Sequence, residues 1–486
     1  MSAKPITYDQ LEVTPFEFSQ LIHIGLEQKL NEHAKLTLTG RIPEKLQESY
    51  MNSDYEFQPI ELKQRVADDT VTLFSGIVTD IHLEVVKGVH SMTVQALSWT
   101  YLLDIQKKNT SFQHSDMTYN ELIAQTIASY PDSRYMNMLS SNPRLGNYVL
   151  QYQETDWQFL QRMASRFQSC LLPAPYFSAP TFYFGVPQEK SGGEIHVSSF
   201  TVRKPLSEFR YLTENHVQGL QAMDSIEYEV YSDQLLELGS QVTFRGKELW
   251  VREASMTMQN SILKLRYILT PQAGLTFAPT YNMAIIGLSL QGKVLSVHRD
   301  RVKVHLEIDN TQDEAKAFSF PYSTTYASED NTGWYCMPEA GDSIRIYFPN
   351  QYEEKAIAIS SIRRENPPQQ TGAGGEGMSM VAEPVDPMCN PDIPYLKTKF
   401  GQIIKFTQQG IDIISSEGSS IHLSDDGMIT ISSSQKIQLS AGEEIHMEAP
   451  TIQMEAERMI SLTCQGSTIE ISNSDINIRG AQMKMN

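Results

Sequence analysis

The chain has 486 residues, 58 Asp and Glu against 39 Lys and Arg, and a formal net charge of −19. At roughly 150 residues per domain, that length predicts about three domains, and 40% hydrophobic with 20% charged residues is a globular composition, not a disordered one. An acidic chain repels phosphate backbones, so no nucleic-acid partner is expected, and no run of 18 apolar residues offers a transmembrane helix.

The N-terminus, MSAKPITYDQLEV, lacks an apolar h-region, so no signal peptide is expected. Residues 1–283 read as mainly strand with a few helices. In His90–Leu97, Met92, Val94 and Ala96 alternate with Ser91, Thr93 and Gln95, the pattern of a half-buried strand. Val71–Leu83 reads as a strand broken at Gly76 by a bulge. Thr118-Tyr-Asn-Glu121 and Thr155-Asp-Trp-Gln158 are capping boxes. After the first, Leu122, Ile123 and Ile127 form an apolar stripe that Pro131 stops. After the second, Trp157, Leu160, Ala164 and Phe167 form another, ended by Pro173 and Pro175. Cys170, Cys336, Cys389 and Cys464 lie far apart without CxxC spacing, against a disulfide scaffold or zinc knuckle and in keeping with a reducing compartment.

Residues 284–363 change character. Val294–Leu306 is two strands around the polar turn His298-Arg-Asp-Arg301, and Asp342–Phe348 with Ala356–Ile359 is a second pair. Five short strands in about 80 residues suit a small closed barrel of the OB type. Residues 364–394 read as a connector, with Pro367-Pro368 and Gly372–Gly377 followed by four more prolines.

Residues 395–486 carry a repeat. An apolar–polar–apolar triplet recurs at Ile411/Ile413, Ile421/Leu423, Ile429/Ile431, Ile437/Leu439, Ile445/Met447, Ile452/Met454, Ile460/Leu462, Ile469/Ile471, Ile476/Ile478 and Met483/Met485. The steps between triplet starts are 10, 8, 8, 8, 7, 8, 9, 7 and 7 residues, which predicts short strands in a repeat architecture. Each triplet turns two apolar side chains one way and one polar side chain the other. One chain cannot enclose a core with so narrow a face. Three chains around one axis can, with the apolar residues inward, the polar ones outward and strand hydrogen bonds between chains. A repeat of 92 residues is too short for a polysaccharide-lyase β-helix with a cleft.

No catalytic constellation emerges. His298-Arg-Asp300 lacks the Asn, glycine loop and DFG of a kinase and reads as a turn. Asp309–Asp313 alternates oxygen ligands, but Glu314 stands where a calcium loop needs Gly. Gly372–Gly377 lacks the strand-to-helix setting of a phosphate cradle. His422 and His446 are single outward rungs, and Cys464 reads as a shielded thiol between triplets. The expectation is therefore a non-enzyme with no catalytic residue, metal site or cofactor.

The ordered set resembles the VgrG family, spikes of type VI secretion and related contractile injection systems, and is similar to a fusion of phage tail hub and spike proteins. The hub part of the resemblance rests on Gln151–Arg162, with Tyr152, Glu154, Asp156, Trp157, Phe159, Leu160 and Arg162 in the positions of the family's QYxE[ST]D[FW]xFLxR segment. The barrel part rests on Asp300-Arg-Val-Lys-Val304 and Gly333–Asp342. After Arg162 the family usually carries an acidic run, whereas this chain has Ala164–Ser169. The resemblance implies a mainly β fold with some α: a hub of β-barrel-like subdomains (1–283), an OB-fold barrel (284–363), a connector (364–394) and an intertwined triple-stranded β-helix needle (395–486) in a homotrimer. It implies inner tube and baseplate proteins as partners, a PAAR-type tip protein on Met483, Met485 and Asn486, effector cargo and transient contact with a target membrane. It also implies assembly in the bacterial cytoplasm before incorporation into the particle. A receptor-binding fibre or adhesin is the alternative.

Overall fold

Period-2 alternation in the first 283 residues produces sheet. The structure, a computed structural model, describes residues 6–52, 57–66, 69–188, 190–259, 261–324, 336–362 and 392–484. The chain divides into two units, Met1–Gln369 and Gln370–Asn486. The boundary falls inside the connector expected over 364–394; Cys389 and the Gly372–Gly377 run lie outside the described residues.

The first unit is built on a 12-stranded sheet. One half is a set of antiparallel neighbours in the order Leu11–Thr14, Pro59–Val66, Asp69–Val86, Val89–Ser98, Lys35–Arg41 and Gln20–Lys29. Gln20–Lys29 then pairs with Lys247–Gln259, placing Leu26 opposite Met256 and bringing the two ends of the first 283 residues together. Alternate residues of these strands, among them Ile24, Leu26, Leu36, Leu38, Met92 and Val94, make a closed core with Phe74 and Tyr267. Asp69–Val86 is one continuous strand of 18 residues. The bulge expected at Gly76 is displaced: register shifts fall beside Leu73 and Thr79, while Gly76 pairs in register with Ile60. Glycine is needed there for close approach, because a Cβ would lie 2.1 Å from the Leu97 carbonyl oxygen.

A second core forms around helices α2 (Tyr119–Ile127) and α3 (Asp156–Ser165), which follow α1 (Glu44–Asn52) in the chain. Both expected capping boxes are present, at Thr118/Glu121 and Thr155/Gln158. α3 stops earlier than its prolines suggested. Gln168 adopts φ 54° and the Ser169 amide returns to the Ala164 carbonyl, so the turn itself closes the helix and Leu171–Pro173 is free to become a strand. Cys170 is buried there, its thiol pushed up to about 12 by desolvation.

Residues from 289 onward form a five-stranded antiparallel sheet in the order Ser319–Pro321, Arg301–Leu306, Ser289–His298, Ser343–Tyr347 and Ile357–Ile362. A bridge from Tyr322 to Ala358 links its two edges. His298 pairs with Arg301, so the polar motif is a hairpin turn. Val302, Val304, Phe320, Ile344 and Ile346 fill the interior, joined by Tyr148 and Leu150 from the preceding region.

The second unit contains a five-stranded antiparallel sheet, Tyr395–Lys397 to Ile429–Ser432 in sequence order, and a three-stranded one of Met459–Cys464, Ser467–Ser472 and Ile476–Arg479. The expectation of strand bonds between chains is corrected for these eight strands, which pair within the chain. Tight turns make that possible: Gln465 and Gly466, both at positive φ, close a two-residue hairpin between Cys464 and Ser467. The turn lifts Cys464 into solvent, so it is exposed and not shielded.

Candidate functional site

Two places stand out, one closed and one open. The closed one is built by the Gln151–Arg162 segment. Thr155 caps α3 and directs Asp156, Trp157, Phe159, Leu160 and Arg162 inward, all five buried. Trp157 donates from Nε1 to the Asn31 carbonyl at 3.2 Å, and Phe159 stacks on Phe112 with ring centroids 5.4 Å apart. Asp156 accepts from Lys108 Nζ at 2.6 Å, the Tyr130 hydroxyl at 2.7 Å and Gln151 Nε2 at 2.9 Å. The Tyr152 carbonyl accepts from Asn282 Nδ2 at 2.7 Å.

Arg162 is the centre of this cluster. Its guanidinium grips Glu154 through two bonds of 2.7 Å, reaches Glu353 Oε1 at 3.1 Å and donates to the Leu150 carbonyl at 2.7 Å. Arg166 donates to the other Glu353 oxygen, and the Leu150 amide donates to Glu353 Oε1 at 2.9 Å. Burial alone would lower the Arg162 pKa; Glu353 and Glu154 outweigh it and raise it, so the group stays charged. Two carboxylates and two guanidinium groups thus neutralise one another. Glu353 belongs to the five-stranded domain, on a turn between Ser343–Tyr347 and Ile357–Ile362. A second anchor lies nearby. Asp309, which the sequence suggested only as a poor calcium ligand, accepts the Ser111 amide at 2.9 Å and the Ser111 hydroxyl. Gln113 adds bonds to the Val304 carbonyl at 3.1 Å and from the Phe318 amide at 3.2 Å. The segment is therefore an internal clamp between α3, its adjoining strands and the barrel-like sheet. No local pattern marks Glu353, which is 191 residues from Arg162.

The open place is the repeat. Ile411 lies opposite Leu423, Ile413 opposite Ile421, Ile421 opposite Ile431 and Leu423 opposite Ile429. Ile460 pairs with Ile471, Leu462 with Ile469, Ile469 with Ile478 and Ile471 with Ile476. Register of this kind puts the apolar pair of each of these paired triplets on one face and its polar residue on the other. On the polar face Asp412 takes a 2.5 Å bond from His422 and a 3.2 Å ion pair from Lys405, contacts that hold its carboxyl below the usual range. Among the described residues nothing covers the apolar face. Ile429 is 66% exposed, Ile476 68% and Leu439 69%. Leu396, Ile404, Ile413, Ile421, Ile431 and Ile437 line an open trough of 570 Å³. Ile437, Ile445, Met447, Ile452 and Met454 lie in the stretch 433–458, which forms no strand. His446 is exposed, 3.5 Å from Glu448. Met483 is exposed, and Met485 and Asn486 lie outside the described residues. Among the described residues no group of three or more His, Cys, Asp or Glu could hold a metal ion, and no helix is long and apolar enough to cross a membrane.

Mainly β, with a buried clamp and an uncovered triplet repeat, the chain is similar in fold to baseplate hub and tail spike proteins of phage and type VI secretion systems. Residues 35–166, which include the clamp segment, match the phage tail baseplate hub (GPD) family. The fold is VgrG-like. It aligns with the E. coli c3393 protein, a type VI secretion component similar to the T4 phage tail proteins gp27 and gp5, at 14% identity and TM-score 0.51, over 73% of this chain and 99% of that one. It aligns with the Francisella PdpA–VgrG complex in its half-lidded form at 10% identity and TM-score 0.52, over 87% of each chain. The lidded form gives 10% and 0.53, over 85% of this chain and 76% of that one. No curated protein matches the chain.

Proposed function

We propose that the chain works as a homotrimeric hub and spike of a contractile injection machine. Residues 1–283 form the hub and seat on the inner tube among baseplate proteins, 284–363 form an OB-type barrel, 364–394 connect, and 395–486 form the needle. The observation that carries this reading is the uncovered apolar face of the repeat. Contiguous apolar patches of that extent mark interaction surfaces, and a self-complementary face repeated along a chain suits closed rotational symmetry. The core would be the paired residues from Ile411 and Ile413 through Ile476 and Ile478. Sheath contraction would drive the needle through a target envelope, a mechanical task that asks for rigidity and no catalysis. Met483, Met485 and Asn486 would seat a PAAR-type tip protein, with effector cargo carried behind it. The particle would assemble inside the bacterium and be delivered outside it. A receptor-binding fibre would share the repeat but has no use for a hub, so the match over 35–166 favours the spike.

Light scattering on the full chain tests the reading. The expected mass is three times 55.0 kDa, about 165 kDa. A stable monomer at every concentration overturns it.

A further inference from the structure

The repeat changes its chemistry along its length. Nine of the 21 methionines fall in Gln370–Asn486, under a quarter of the chain. The triplets from Ile411 to Leu439 use only isoleucine and leucine, whereas Ile445-His-Met447 and Ile452-Gln-Met454 each close on a thioether. Both methionines stand in solvent, 58% and 55% exposed, while Met92 and Met163 of the first unit are fully buried. Met459 is 55% exposed as well but sits differently. It pairs with Ser472 and alternates with Ile460 and Leu462, so it lies on the face opposite the apolar pair. Leucine would fill a triplet position equally well and is inert to peroxide. A thioether is a soft nucleophile that peroxide converts to a polar sulfoxide.

We infer that Met447 and Met454 are an oxidation-sensitive gate on assembly: a peroxide converts them to sulfoxides in the unassembled chain, and the modified chain no longer associates. This rests on the trimeric reading above, in which further copies cover the triplet side chains. Sulfur gives an electron pair to one oxygen of hydrogen peroxide. The S–O bond forms as the O–O bond breaks, and the second oxygen leaves as water carrying both protons. Sulfur is oxidised by two electrons and the peroxide is reduced by two. The sulfoxide places a polar oxygen where a triplet needs an apolar group, and covering it without a hydrogen-bond partner is unfavourable. The gate is reversible. A methionine sulfoxide reductase returns the thioether, releasing the oxygen as water while two thiols become a disulfide. Once the copies have assembled the same sulfurs are covered, so the finished spike resists an oxidant that stops an unassembled chain.

Peroxide treatment of the full chain, read by mass spectrometry for each methionine and by light scattering for mass, tests this. In the trimer, Met447 and Met454 are expected to oxidise at least about tenfold more slowly than Met459 and than Met51 and Met223, which are exposed in the first unit. Chain oxidised at dilutions where it is monomeric is expected to lose trimer at least about tenfold on reconcentration and to regain it after reductase treatment. Met447→Leu with Met454→Leu is expected to assemble normally and to keep assembling after peroxide. Met447→Gln with Met454→Gln, polar at similar length, is expected to assemble poorly with no oxidant, which covers the case of a trimer too tight to dilute. A trimer in which Met447 and Met454 oxidise as fast as Met459 overturns the inference. So does a leucine variant that peroxide still disassembles, because exposed Cys336 and Cys464 would then carry the effect. Normal assembly of the glutamine variant overturns it too. Untreated chain that is monomeric throughout removes the trimeric reading first, and light scattering reports that separately.

Discussion

The two units of this chain treat apolar residues in opposite ways. In the first, Ile24, Leu36, Val94, Val302 and Ile346 are all fully buried. In the second, isoleucines with the same alternation stand half or more in solvent, as at Ile429, Ile437 and Ile476. The difference lies in topology. The first unit folds strands from distant sequence over one another, so each apolar face finds a second layer. The second lays successive triplets side by side, which completes a ladder but supplies no second layer. One region covers its apolar faces within the chain and the other leaves one uncovered among the described residues.

The largest expected effect breaks that contrast at its open side. Ile445→Asp places a carboxylate where the proposed trimer buries an isoleucine. An uncompensated buried charge costs several kcal/mol per copy, so light scattering is expected to show monomer while circular dichroism of the first unit is unchanged. A protease-resistant trimer in this variant contradicts the inward assignment.

Next comes the closed side. Glu353→Ala leaves Arg162 and Arg166 facing each other with only Glu154 to compensate them, and removing one partner from a buried ionic network costs about 3–5 kcal/mol. The melting transition of the first unit is expected to fall steeply. Glu448→Ala in the exposed repeat is expected to change stability by less than about 0.5 kcal/mol. Equal effects of the two erase the distinction between the regions. Smaller still is Thr155→Ala. It removes the α3 cap and is expected to cost about 1 kcal/mol in denaturant unfolding.

What the sequence discloses follows the range of each interaction. Thr118 with Glu121 and Thr155 with Gln158 are three residues apart, and both boxes were legible. The faces of the triplets were legible for the same reason, since two-residue periodicity is local. Partners were not. Nothing near Arg162 points to Glu353, and the run from Asp309 looked like a weak cation loop because Ser111 is 198 residues away. Period says which face a residue takes but not which strand lies beside it, so pairing within the chain at Gly410–Ile414 and Ser420–Ser424 needed the structure. Gly76 shows a further limit: glycine in a strand signals either a bulge or a close approach, and only the Leu97 carbonyl decides between them.

Acid separates the two regions with opposite signs. Burial raises the Asp309 carboxyl, outweighing the Ser111 bonds that lower it. A raised carboxyl means the folded state binds its proton more tightly than the unfolded state, so ionised Asp309 opposes folding above its folded pKa, and the penalty lifts as pH falls through it. Asp412 is the reverse: the His422 bond, helped by Lys405, lowers it, so its contribution is present above the unfolded value of about 4 and disappears as pH falls through the folded pKa. Asp309→Asn is therefore expected to flatten the acid-side pH dependence of the first unit's melting. Asp412→Asn is expected to flatten that of amide exchange in the ladder around Gly410–Ile414. If both substitutions shift their regions in the same direction with pH, the environment of one carboxylate has been read with the wrong sign, and the buried anchor at Ser111 is the place to look, because there burial and hydrogen bonding act in opposite directions.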